Sequence, residues 1–302
     1  MNTPIVVPAA FAATMATRPA TIGPSGGSWL RGLPRLVSDL ADQWSLEFEG
    51  EPRYLDSALL VPCLHEGEPA TMKVTWPHVD ARFEHLALRQ WDGRGAARLF
   101  AADPGRWALL LERLDDDRTL ASLPILDACE ALGNLFRRLD VAPVARVDDL
   151  PTESMRWATA STAGSPFVPR RMTQQAASML RDLGSDSGKD LVHTELHFDN
   201  VVAAERESWL AINPVPMNGE WEFAVAPALW SRWQESLEAP NLRAHLRTRL
   251  AVICSAAGLD EDRAREWSFV RLVLRALSET ENSAPDQEAL SRYVAVAKAM
   301  QD

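Results

Sequence analysis

Apolar residues recur every three or four positions at Leu33, Leu36, Val37, Leu40 and Trp44, which predicts a helix with Pro34 at its start. Residues 57–61 and 71–75 are β-rich, and a Gly-containing turn at 65–69 joins them as a hairpin. Pro62 lacks an N–H, so it either closes the first of these strands or confines it to a sheet edge. A helix over about 81–91 follows, then a break at 92–95 and two apolar runs at 97–100 and 107–111. Beyond the acidic run Asp115-Asp116-Asp117 the period changes. Ile125, Cys129, Leu132, Phe136 and Leu139 form one helical stripe. Ala176, Met179, Leu180 and Leu183 form another, with Gly184 read as its C-cap. A strand-loop-strand unit occupies 191–213, and further helices are expected at 224–233, 242–257, 260–277 and 287–300.

A chain of 302 residues with this change of pattern suits two lobes rather than one core. Composition narrows the function little: 46% hydrophobic and 24% charged is ordinary for a globular protein. The formal net charge of -11 argues against nucleic acid and anionic membranes as partners. Cys63, Cys129 and Cys254 are odd in number and far apart, so they build neither a disulfide framework nor a CxxC metal site. The apolar stretch at 8–13 has no Lys or Arg before it, and no run approaches a membrane span. A cytoplasmic protein is the expectation.

Candidate chemistry concentrates in His193-Thr194-Glu195-Leu196-His197-Phe198-Asp199-Asn200. Two imidazoles, two carboxylates and an amide lie between apolar runs, as in sites held on a rigid scaffold. His193 and His197 are four apart, a spacing that could hold a metal on a helix, although a loop is expected here and the glutamate sits centrally rather than beside the first histidine. A polar loop without chemistry is the other plain reading. A short apolar strand, Trp209-Leu210-Ala211-Ile212, follows and ends at Asn213. A loop supplying an acid and an amide, then a strand whose end supplies another metal ligand, is the arrangement of kinases.

At this point the sequence resembles the aminoglycoside and hydroxyurea phosphotransferases, in their streptomycin 6-phosphotransferase branch. The likeness is carried by the segments at 193–202, 209–216 and 219–233, by Met72-Lys73-Val74, by Glu84 through Trp91 to Gly95, and by residues 110–114. Ala257 to Asp260, with Arg263 and Trp267, extends it towards the C-terminus. The resemblance implies an α+β, bilobal, protein-kinase-like fold, with a small β-rich N-lobe over 1–114 and a mostly helical C-lobe over 115–302. It implies ATP and Mg²⁺ as cofactors and a small hydroxyl-bearing molecule as acceptor. By position, Lys73 would contact the nucleotide phosphates and pair with Glu84, and Glu112 to Leu114 would face the adenine through backbone groups. Glu195 would be the catalytic base, and Asn200 and Asn213 the metal ligands. Trp230, Trp233 and Glu235 are candidates for the acceptor pocket.

Four acidic positions of the family pattern are altered, and so is the residue before the first of them. Glu195 stands where the family has the catalytic Asp, about one methylene further out, and a misplacement of about 1 Å costs on the order of a hundredfold in rate. Thr194 replaces the small Gly before it. Asn213 replaces the metal-binding Asp, so neither matched ligand is anionic. Glu220 and Ala224 replace two further aspartates, the second of which would brace the loop. Two functions are therefore expected to compete: ATP-dependent phosphoryl transfer to a small molecule, possible at reduced rate, and a catalytically impaired pseudokinase acting by binding.

Overall fold

The computed structural model describes residues 5–282 and 284–301. The ends of the expected domain ranges and the side chain of Asp116 in the acidic run lie outside the described residues. The chain divides into two compact units between Asp115 and Asp116.

The first unit contains α1 (Ala9–Ala16), α2 (Gly26–Gln43), β1 (Glu47–Phe48), β2 (Arg53–Tyr54), β3 (Ala58–His65), β4 (Glu68–Thr75), α3 (Glu84–Trp91), β5 (Leu99–Asp103) and β6 (Ala108–Glu112). Its antiparallel sheet runs β1-β3-β4-β6-β5, with β2 also on β3. The helix expected near Pro34 begins earlier, at Gly26, where Ser25 accepts a hydrogen bond from the Ser28 amide. Pro34 lies inside the helix on its exposed face, where a carbonyl without its donor can be hydrated. The buried stripe Trp29, Leu33, Val37 and Leu40 packs with Phe11 and Met15 of α1 onto Leu59, Val61, Cys63, Met72 and Val74 of the sheet. Pro62 does not close β3. Its carbonyl accepts from the Glu49 amide at 2.9 Å, so its missing donor faces that same side, at the gap between β1 and β2.

The second unit opens with β7 (Asp115–Thr119), whose first residue belongs to the preceding unit, then α4 (Ile125–Leu139), α5 (Leu150–Ser161), α6 (Arg170–Gly184), β8 (Asp190–His193), β9 (Val201–Ala203), β10 (Leu210–Ala211) and β11 (Pro216–Gly219). It continues with α7 (Trp221–Ala224), α8 (Ala226–Trp230), α9 (Trp233–Glu238), α10 (Leu242–Ala257), α11 (Glu261–Thr280) and α12 (Gln287–Met300). The single helix expected at 224–233 is thus three short ones, the last entered through Arg232 at φ +52°. Gly184 does not cap α6: the cap is Ser185 in right-handed conformation. Gly184 instead lets α5 approach, because a Cβ there would sit 2.5 Å from Ser154 Cβ. Likewise a Cβ at Gly133 would meet the Ile253 carbonyl at 2.5 Å, which sets how closely α4 crosses α10.

Two small sheets hold the loop at 193–200. β8 pairs with β11, placing His193 opposite Pro216, and β9 pairs with β10, placing Val201 opposite Ala211. Arg249 of α10 is fully buried and donates to the carbonyls of Ala228 and Ser231 and to Ser236 Oγ, tying α8 and α9 together. Its guanidinium also lies 5.5 Å from the ring of Phe198, the buried apolar anchor of the loop.

Candidate functional site

In the second unit the loop is built around His193, which is completely buried. Its Nε2–H donates to the Ile212 carbonyl at 3.1 Å, and its Nδ1 accepts from the Glu195 amide at 3.2 Å. The two bonds define one neutral tautomer and occupy both ring nitrogens. His193 is therefore a structural tie between loop and strand rather than a metal ligand. Burial pushes its pKa down to about 4. The folded state thus binds fewer protons than the unfolded chain between pH 6.5 and 4. The corresponding stability is complete above the ordinary histidine pKa and is lost as pH falls from there towards 4. On this count the wild type loses about 3 kcal/mol more than H193Q between pH 7 and pH 4. Parallel denaturant unfolding at several pH values measures the difference.

Thr194, where backbone freedom was expected to be lost, sits without strain. The non-glycine residues with positive φ include Asn213 but not Thr194, among the described residues. The Thr194 amide and hydroxyl both donate to the Val215 carbonyl, each at 2.9 Å. The larger side chain has gained a bond that glycine could not make.

Glu195 is held in a way the sequence did not suggest. Its Oε1 accepts from Arg271 Nη2 at 2.7 Å and forms an ion pair with Arg275 Nη2 at 2.6 Å, two residues one turn apart on α11. Arg271 is buried, and its Nη1 donates to the carbonyls of Thr194 at 2.7 Å and Phe223 at 3.2 Å. It lies 4.5 Å from the Phe223 ring and 5.3 Å from that of Trp230. Burial lowers its pKa to about 10, with the Glu195 carboxylate opposing the fall. Arg271 thus braces the loop against α7, beside Ala224, where the bracing aspartate of the family pattern is missing. Glu220 is likewise accommodated: it accepts from Arg263 Nε at 2.8 and 2.9 Å and from Trp267 Nε1.

Asn200 and Asn213 come together, but as an amide pair. Asn213 Nδ2 donates to Asn200 Oδ1 at 3.4 Å, and Asn200 Nδ2 donates to the Glu195 carbonyl at 2.8 Å. Asn213 has φ +52°, a left-handed conformation that Asn tolerates better than most residues. This donor set does not fit a divalent cation held by protein carboxylates. Both amides are neutral, the Asn200 oxygen is already an acceptor, and the Glu195 carboxylate is shared by two guanidiniums. Asp199 is mostly exposed and lies 3.4 Å from His197 Nδ1, which holds its carboxyl below the usual range. No group of three or more potential His, Cys, Asp or Glu ligands occurs among the described residues.

In the first unit, Lys73 on β4 and Glu84 at the start of α3 meet at 2.6 Å and are 5% and 4% exposed. Glu112 closes β6, and its side chain accepts from the Arg98 amide at 2.7 Å. Leu114, just beyond, is half-buried. Of the acceptor candidates, Trp230 packs against both arginines of the Glu195 cluster, and Glu235 pairs with Arg232 at 2.6 Å. Trp233 begins α9. Sequence reasoning missed Arg271 and Arg275. The available signal was two arginines four apart within the otherwise apolar run 269–277, since a buried arginine is rare unless paired.

Known proteins share both the sequence and the fold. The model of the aminoglycoside/hydroxyurea antibiotic resistance kinases matches residues 43–282. Streptomycin 6-kinase of Streptomyces glaucescens is 34% identical over 289 residues, covering 93% of this chain and 92% of the relative. Hydroxyurea phosphotransferase of Kitasatospora aureofaciens is 32% identical, covering 92% and 83%. Among solved structures, an aminoglycoside phosphotransferase in complex with ADP and hygromycin B has a TM-score of 0.56 at 14% identity, covering 87% of this chain and 97% of its own. A choline kinase from Streptococcus pneumoniae has a TM-score of 0.58 at 11% identity, covering 89% and 98%. The fold is accordingly α+β, with a β-rich N-terminal part and a helical C-terminal part. By the extent of these matches, the chain belongs to the aminoglycoside/hydroxyurea antibiotic resistance kinase family.

Proposed function

We propose that this chain is an ATP-dependent phosphotransferase that moves the γ-phosphoryl group onto a hydroxyl of a small molecule, the acceptor class indicated by relatives named for streptomycin and hydroxyurea. The observation that carries the reading is the buried Lys73–Glu84 pair at 2.6 Å. Burying two opposite charges costs desolvation energy that an apolar pair would not, so stability alone does not call for it. A nucleotide phosphate to be gripped does.

In this reading Lys73 binds the phosphates and Glu84 orients its ammonium, while the backbone from Glu112 to Leu114 faces the adenine. The acceptor oxygen attacks the γ-phosphorus, the bond to the bridging oxygen breaks, ADP leaves, and the acceptor proton passes to Glu195. Asn200 supports Glu195 by donating from Nδ2 to its backbone carbonyl. Arg271 and Arg275 fix the direction of the carboxylate, and they also compete with the acceptor hydroxyl for its oxygen. That competition, together with the amide pair at Asn200 and Asn213, favours a second reading in which nucleotide binds and turnover is lost.

Saturating ATP is expected to raise the melting temperature by about 5 °C, the effect of roughly a hundredfold excess over the dissociation constant. Added Mg²⁺ should change that shift little in the wild type and substantially in N213D. Phosphate release with an acceptor panel then separates the readings: turnover supports the transferase, a shift without turnover supports the binding protein. Absence of a shift with any nucleotide defeats both.

A further inference from the structure

The Lys73–Glu84 pair engages one half of its carboxylate. Lys73 Nζ meets Oε1 at 2.6 Å, and the second oxygen, Oε2, has no protein donor among the described residues. Thr75 stands two residues along β4 from Lys73, on the same face of the sheet. Its amide donates to the Trp107 carbonyl at 2.9 Å, while its hydroxyl makes no hydrogen bond among the described residues. Thr75 and Glu84 are each 4% exposed. Both line one small cavity, walled also by Ala81, Trp107 and Leu109, with room for about one water molecule. Arg82 and His85 complete the lining, but Arg82 is exposed and His85 half-buried. The deep polar groups facing the cavity are therefore the Thr75 hydroxyl and the Glu84 carboxylate.

A buried oxygen left without a partner costs stability, most of all on a charged group. Water held inside a protein satisfies such groups where they do not meet each other directly. The local backbone makes this matter for Glu84. It opens α3, and the N-cap of that helix, Phe83, supplies no side-chain hydrogen bond, so no cap fixes the first turn. The direction of the carboxylate depends on what holds its two oxygens.

We infer that this cavity is a specific water site, in which one molecule donates to Glu84 Oε2 and is held by the Thr75 hydroxyl. Thr75 is thereby a positioning residue: through the water it fixes the Glu84 carboxylate, which aims the Lys73 ammonium. That this aim serves a nucleotide phosphate rests on the phosphotransferase reading; the water bridge does not.

A crystal structure of the full chain, at a resolution that shows waters, should place one within hydrogen-bond distance of both oxygens. T75V keeps the shape of threonine without the hydroxyl and should lack that water; T75S returns the hydroxyl. Isothermal titration with ATP, ADP and adenosine reads the consequence. T75V should bind ATP and ADP about tenfold more weakly than the wild type, the worth of one hydrogen bond to a charged group. It should bind adenosine unchanged, because adenosine has no phosphate for Lys73 to hold. T75S should bind all three as the wild type does. Melting temperatures test the bridge without nucleotide: T75V should cost the wild type about 4 °C and leave K73M/E84L unchanged, where no carboxylate meets the water. A wild-type structure with no water touching both oxygens overturns the inference, and it decides the matter even if T75V does not fold. So does ATP binding unchanged in T75V, a loss shared by adenosine, or an equal melting loss in both backgrounds. If no nucleotide binds the wild type, the phosphotransferase reading falls, and the water and the melting temperatures decide the bridge. ATP turnover with no bridging water does the reverse.

Discussion

Replacing Arg271 with alanine lowers the melting temperature by about 10 °C. The side chain is buried and donates to the Thr194 and Phe223 carbonyls and to Glu195. Its removal leaves two carbonyls without a donor and takes the inner partner from the Glu195 carboxylate. Breaking a buried ionic network from one side costs about 3–5 kcal/mol, and in a chain of this size each kcal/mol corresponds to roughly 2–4 °C. R271M fills most of the space but restores none of the donors, so it should melt between the alanine variant and the wild type. Scanning calorimetry on the three proteins decides the matter. If R271A melts within about 2 °C of the wild type, the brace assigned to Arg271 does not exist.

The Lys73–Glu84 pair gives the second large effect, with a different pattern. K73M or E84L alone strands one charge in a site that is about 95% shielded from solvent, at a cost of about 3–5 kcal/mol. K73M/E84L removes both charges and leaves apolar side chains of similar size, so most of the lost stability should return. Nucleotide binding should be absent in all three, because the ammonium is gone or no longer oriented. The coupling is read from a double-mutant cycle by denaturant unfolding. Single losses that simply add in the double variant would show that the two side chains do not depend on each other.

Much of the fold could be read because its pattern is local. The stripe on α4 shows in its spacing, and the strands β3 and β4 show in their β-rich composition and the turn between them. α5 escaped because its buried face is Leu150, Ser154, Ala158 and Ser161, helical in spacing but half polar in composition. α1 escaped because it is only eight residues long and buries just Phe11 and Met15. Gly184 was misread because a glycine at a helix end can serve a left-handed cap or a close neighbour, and only the neighbour distinguishes them. The site divides along the same line. His193 to Asn200 is contiguous and recognisable. The partners that decide its chemistry are not: Arg271 and Arg275 reach Glu195 across 76 and 80 positions, and Arg263 reaches Glu220 across 43. Substitutions that look like separate losses at Ala224 and Glu220 are, in the folded chain, each set beside an arginine from α11.

The break at Pro62 bears on how copies of this protein behave towards one another. A sheet whose outer strands offer an unbroken row of donors and acceptors invites a strand from another molecule to add on. Here one border consists of two two-residue strands, separated where Pro62 has no N–H to give. The opposite border, β5, slips register between Leu99 and Ala101, so its ladder is interrupted as well. Neither margin can template a long intermolecular ribbon, and the sheet that holds Lys73 is protected from self-assembly by its own irregularities.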